Sequence, residues 1–231
     1  MALFGSRKKK DATSAEDLPA EKKGREDAAK ASPASEQAPA ERGAPVRREY
    51  SRENGPFDAS EKSPAEDAVD LGGIVIEAPE GTHIRLDVDQ ATEAIVAATV
   101  DIGASSLQIQ AFAAPKTSGL WEEIRGQIKE SVASQGGSSE TIEGDFGDEL
   151  FVKLPIQSQD GSMGYRSARF LGVDGPRWFV RGVLGGPAAT DEGEAAALLE
   201  IFRSVIVVRG DEAMPPKELL PLTVPGNLQQ A

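Results

Sequence analysis

The chain has 231 residues and no cysteine, which excludes disulfides, Cys-ligated zinc, iron–sulfur clusters and thiol nucleophiles together. Its net charge of −13 is unevenly spread: residues 1–70 carry 13 Lys/Arg against 15 Asp/Glu and the remainder 12 against 23, leaving −11 on the latter. Such acidity argues against nucleic-acid binding, which rests on neutralising backbone phosphates, and no window reaches the roughly 18–20 apolar residues of a membrane span.

At the N-terminus, Met1 to Gly5 and the basic run Arg7 to Lys10 are followed by no apolar stretch, so no secretory signal is read and the cytoplasm is the expected compartment. Residues 1–68 are rich in Ala, Glu, Lys, Pro, Ser and Arg, and after Phe4 hold only Tyr50 and Phe57 as bulky aromatics. They are expected to form a disordered charged tail, because so little apolar surface cannot offset the entropy of ordering the chain. Tyr50 to Phe57 is the stretch of it best equipped to bind a partner, and Lys8 to Lys10 the one equipped for an electrostatic contact.

At Leu71 the pattern changes, opening a domain read as residues 69–212. Gly72 to Ile76, Thr82 to Val88, Ala94 to Ile102 and Leu107 to Phe112 read as four strands with short connections, which suits an antiparallel meander. Trp121, Ile124, Ile128 and Val132 recur at helical spacing, with Thr117 or Ser118 as cap and Gly136-Gly137 as stop. Strands follow at Glu140–Ile142 and Glu149–Ile156, then a hairpin from Tyr165 to Leu184. A second helix from Asp191 or Glu192 to about Ser204 buries Leu198, Ile201, Phe202 and Val205, capped by Thr190 or by Asp191 with Glu194. A last strand covers Val205 to Val208. Residues 213–231, with Pro215, Pro216, Pro221 and Pro225, read as a Pro-rich extended segment wrapping over the domain. The order predicts an α+β fold: a mostly antiparallel sheet of two meanders with two main helices packed on it.

Catalytic signatures are missing. His83 is the single histidine, no Gly-x-Ser-x-Gly elbow accompanies it, and there is no Gly-x-x-x-x-Gly-Lys-Ser/Thr and no Gly-x-Gly-x-x-Gly between a strand and a helix. The acid pairs Asp87/Asp89, Glu122/Glu123 and Asp145/Asp148 read as solvated carboxylates. No catalytic residue, metal ligand or cofactor is therefore assigned.

The hairpin supplies the candidate binding residues. A two-residue Asp174-Gly175 turn would oppose Val173 to Pro176, Leu171 to Trp178 and Arg169 to Val180. Because Pro176 has no N–H, a longer loop stays open as an alternative. In the two-residue register Arg166 and Arg181 are diagonal neighbours on one face beside Phe170 and Phe179, with Arg169 on the other face near Trp178. Adjacent arginines repel unless something negative joins them, either a carboxylate of the domain or an anionic ligand.

The run Arg169-Phe-Leu-Gly-Val-Asp-Gly-Pro-Arg-Trp-Phe-Val-Arg-Gly-Val-Leu-Gly-Gly-Pro-Ala188 resembles an actinobacterial family defined by domain of unknown function 3710. So do Asp70 to Gly73, Gln110 to Pro115, Val208 to Asp211 and Met214 to Pro216, and the match spans about residues 55 to 222. The resemblance carries no functional residue across. The element order is also similar to the Mog1/PsbP-like folds, which implies a sheet-and-helix binding platform by analogy. The expected function is a non-enzymatic protein-interaction module, contacting a protein partner through its tails or sheet face. The alternative is a binder of, or enzyme on, a small anionic metabolite held by Arg166, Arg181, Arg169 and Trp178.

Overall fold

A computed structural model describes residues 50–116, 119–157 and 162–225. In chain order the strands are β1 (Phe57–Asp58), β2 (Val69–Asp70), β3 (Ile74–Ile76), β4 (His83–Val88), β5 (Ile95–Ile102) and β6 (Ser105–Ala113). Helix α1 (Leu120–Ser134) is followed by β7 (Ser138–Gly144), β8 (Gly147–Gln157), β9 (Met163–Gly175) and β10 (Trp178–Gly185). A 3-10 turn (Gly186–Ala189), helix α2 (Glu192–Ser204) and β11 (Ile206–Val207) complete the set. The architecture is α+β.

Seven strands form one antiparallel sheet in the order β4-β5-β6-β10-β9-β8-β7, so two meanders are joined edge to edge where β6 pairs with β10. A second, four-stranded sheet runs β1-β11-β3-β2. Here the structure departs from the sequence reading. The strand at Ile74–Ile76 leaves the first meander and pairs instead with β11 and β2. All three of its residues are buried, Ile74 and Ile76 completely, so it needs cover on both faces, which the end of a meander does not give.

The seven-stranded sheet buries both faces. On one, α2 and the small sheet close a core holding Leu107, Ile109, Leu171, Trp178, Leu198 and Phe202. On the other, α1 lays Leu120, Trp121 and Val132 on Leu150, Val152 and Phe179. At about 1.5–3 kcal/mol per large apolar side chain, these two layers supply the main stabilisation. The first residues of α1 have no cap of their own. Asp174 Oδ2, across on β9, accepts from the Gly119 and Trp121 N–H groups at 3.1 and 3.4 Å. Both caps expected from the sequence, Thr117 and Ser118, lie outside the described residues. Helix α2 is capped by Asp191, whose carboxylate accepts from the Glu194 N–H at 3.0 Å.

Residues 50–68, read from the sequence as tail, are part of the fold. The Phe57 and Ala59 N–H groups donate to the Val205 and Val207 carbonyls at 2.9 and 3.0 Å, making β1 a parallel partner of β11. Asp58 Oδ2 accepts from Trp178 Nε1 at 2.8 Å, and Tyr50 packs edge-on against Phe146. The rest of the expected tail, residues 1–49, lies outside the described residues. Beyond β11 the expected extended segment is interrupted by a turn at Pro216-Lys217, with Lys217 at φ 70°. From Glu218 the chain follows the end of β6, where Ala113 donates to Glu218 and Leu220 to Ala111, and then Thr223 donates to Leu71.

A chain starting at residue 69 loses β1 and leaves the indole N–H of the fully buried Trp178 unpaired. Relative to one starting at Val46 it is expected to lose about 3 kcal/mol, roughly ten degrees in Tm by near-ultraviolet circular dichroism. Equal midpoints would return residues 50–68 to the tail.

Candidate functional site

The hairpin that carries the four predicted residues turns two residues later than its sequence suggests. Trp178 faces Gly175, Phe179 faces Asp174 and Arg181 faces Gly172, so the turn is Pro176-Arg177, with Arg177 at φ 62°. Asp174 and Gly175 are drawn into β9 by packing. The Asp174 carboxylate holds the start of α1, and a side chain on Gly175 would overlap the Trp178 ring.

This shift preserves which face each residue occupies but breaks up the cluster. Arg166 lies opposite Leu154 of β8, six residues along β9 from the Gly172 that faces Arg181. At 3.3 Å per residue the two arginines are about 20 Å apart, not diagonal neighbours. Arg166 is exposed. Arg169 does lie on the opposite face, but opposite Leu184 and six residues from Trp178's partner. Trp178 itself is buried against the small sheet, its N–H taken by Asp58.

Arg169 is satisfied inside the protein. It is 4% exposed, its Nε donates to the fully buried Glu149 carboxylate, and Nη1 reaches Glu192 Oε1 at 2.7 Å. Burial pushes the Glu149 carboxyl above its ordinary range while the Arg169 guanidinium pulls against it. Arg181 is different. Nη2 donates to Gln110 Oε1, the guanidinium lies over the Phe112 ring, and Nε is buried with no hydrogen-bond partner. Burial alone lowers its pKa, with no carboxylate opposing the shift.

Most of the remaining sequence candidates have partners within the domain. His83 is exposed at the start of the edge strand β4. Asp87 accepts from Thr99 Oγ1 at 2.7 Å and Gln108 Nε2 at 2.8 Å, and Asp89 organises the turn to Ala94 through the Ala91 and Thr92 N–H groups. Asp145 pairs with Arg203, Asp148 with Arg125 and Glu123 with Lys217. Among the described residues no three His, Cys, Asp or Glu side chains cluster as a metal site, and no helix is long and apolar enough to cross a membrane.

A different surface stands out. β9 runs 13 residues, whereas β10 ends opposite Arg169 and β7 ends opposite Lys153. β8 and β9 therefore continue past their neighbours as a two-stranded arm, paired from Leu154 with Arg166 to Gln157 with Met163. The arm exposes Met163 at 72%, Tyr165 at 73% and Ile156 at 43%. Its signal in the sequence was the unequal strand length. β9 has 13 residues, whereas Gly185-Gly186-Pro187 stops β10 after eight.

Replacing Arg169 by Met strands the Glu149 carboxylate in the core and is expected to cost about 3–5 kcal/mol. Arg181→Met removes an uncompensated half-buried cation, keeps the stem on Phe112, and should change stability by no more than about 1 kcal/mol. Urea unfolding of the two variants checks the ranking.

The model of a protein of unknown function, DUF3710, matches residues 55–231, and the chain belongs to that family. No curated protein matches it. Among solved structures it is similar to the solution structure of cyanobacterial PsbP (CyanoP) from Synechocystis sp. PCC 6803, at 13% identity, covering 63% of this chain and 98% of that one, with a TM-score of 0.34.

Proposed function

We propose that this DUF3710 member is a protein-interaction module and that the β8–β9 arm is its contact element. The observation that carries this reading is the concentration of exposed large apolar side chains there. Beyond Ile156, Met163 and Tyr165, the exposed large hydrophobics among the described residues are Val88 at the end of β4 and Val224 near the C-terminal end. Scattered apolar side chains on a surface need no explanation, but three on one short ribbon do. Left in water, each forgoes about 1.5–3 kcal/mol of burial, which a partner recovers on docking.

The test is photocrosslinking in the native cells with p-benzoylphenylalanine placed at Tyr165 or, as control, at Val88. A discrete protein adduct from position 165 and none from 88 is expected. No adduct from 165 would overturn the reading.

A second reading, a small anion seated at Arg181, is favoured by one observation, the unpartnered Nε of that side chain. With Arg166 exposed at a distance and Arg169 paired, the cradle of several arginines is gone, and a lone guanidinium remains. On this reading nucleotides or phosphorylated metabolites raise the Tm of the native chain and not of Arg181→Met. Absence of any shift across the panel removes it.

A further inference from the structure

Resting on that interaction reading, we infer that the free edge of β9, residues 163–167, takes up an extended, acid-bearing segment of a partner protein as an added strand. Three features of the arm support this mode of docking.

The first is hydrogen-bonding capacity. Over Met163 to Ala168, among the described residues β9 pairs only with β8, because β10 has ended, and the 3-10 turn Gly186–Ala189 that follows β10 contacts β9. In an antiparallel ribbon alternate residues turn N–H and C=O away from the partner strand. Residues 163–167 therefore offer two or three such pairs to a strand laid beside them, the main-chain contact by which extended peptides join a sheet edge. The arm's other edge is less suited. There the free part of β8 contains Pro155, which has no N–H to offer.

The second feature is side-chain alternation. Met163 and Tyr165 point to one face of the arm and Arg166 to the other. An incoming strand thus meets Met163 and Tyr165 on one side and Arg166, with Ile156 of β8 on the same face, on the other, so an acidic residue is favoured beside Arg166 and apolar residues at the remaining positions.

The third is charge. Residues 153–168 carry Lys153 and Arg166 against one acid, Asp160, a net of +1, and Lys153 stands exposed at the base of the arm over Phe151. Residues 71–231 as a whole carry −11. A cationic finger on an acidic body attracts acidic segments at the finger and turns them away elsewhere. A second copy of the chain fits less well. Two β9 edges paired antiparallel about this stretch put the two Arg166 side chains opposite or diagonal to each other on one face, where like charges repel.

Fluorescence anisotropy on the full chain tests the inference with an end-blocked, labelled peptide Thr-Val-Glu-Val-Glu-Val-Thr. Two controls accompany it, one with Lys for Glu and one with Pro for the central Val. The acidic peptide is expected to bind at least about tenfold more tightly than either control, and Arg166→Glu to reverse the preference toward the Lys peptide. Equal binding of all three peptides, no binding, or a preference unmoved by Arg166→Glu overturns the inference. So does a concentration-dependent dimer in sedimentation that Tyr165→Asp abolishes, which would assign the edge to a second copy. A crosslink from position 165 without acidic preference defeats this inference alone; loss of both defeats the interaction reading as well.

Discussion

The contact on which the geometry of the sheet turns is an ion pair with almost no access to water. Glu149 on β8 is fully buried and Arg169 on β9 nearly so, and among the described residues no other charged side chain is buried in the core to replace either partner. Their strands pair Leu150 with Phe170 and Phe151 with Arg169, which places Glu149 and Arg169 diagonally on the face toward α2. Two further groups close the arrangement: Glu192 in the first turn of α2 takes the outer edge of the guanidinium, and Gly144 leaves the space a side chain would deny to the carboxylate. A one-residue slip of β9 against β8 would carry Arg169 to the α1 face and strand Glu149 in hydrocarbon. The pair therefore specifies register more than it adds stability, and the register it specifies continues without interruption into the arm.

The same strand is gripped by two tryptophans. Trp121 of α1 lies over Gly172 on one face, and Trp178 lies against Gly175 on the other; a side chain at either glycine would overlap the ring. These contacts explain why the hairpin defied its own turn chemistry. Asp174-Gly175 has the composition of a two-residue turn, but in the fold Asp174 anchors the α1 start and Gly175 makes room for indole. Alternation survived the error, so the faces of Arg166, Arg169 and Arg181 were legible in the sequence. Distance along the strand was not, because it depends on where the turn falls, and the arginine cluster dissolved with it.

Elsewhere legibility followed pattern strength. Both helices were visible because Trp121, Ile124, Ile128 and Val132, and likewise Leu198, Ile201 and Phe202, repeat at the helical period. β1 was not, because two residues within a polar stretch carry no period. Phe57 and Asp58 are held by what lies beside them in space, the β11 backbone and the Trp178 indole, which come 120 and more residues later. The arm escaped notice for a related reason: its residues alternate as a buried strand should, and only the early end of β10 leaves them uncovered.

The edges of the large sheet show which part of it is left open to growth. β7, one outer strand, presents Glu140 and Glu143, and β4, the other, carries His83, Arg85 and Asp87 and is bent by a bulge between Asp87 and Val88. Charges and bulges of this kind discourage edge-to-edge pairing. The free part of β8 is protected by Pro155. Along β9 from Met163 to Ser167 none of these devices is present except a single cation, Arg166, which lies between Ser167 and the exposed Tyr165. One unguarded edge among several guarded ones is what a site for a chosen strand requires. A lone positive charge on it filters partners by sign without closing it to them.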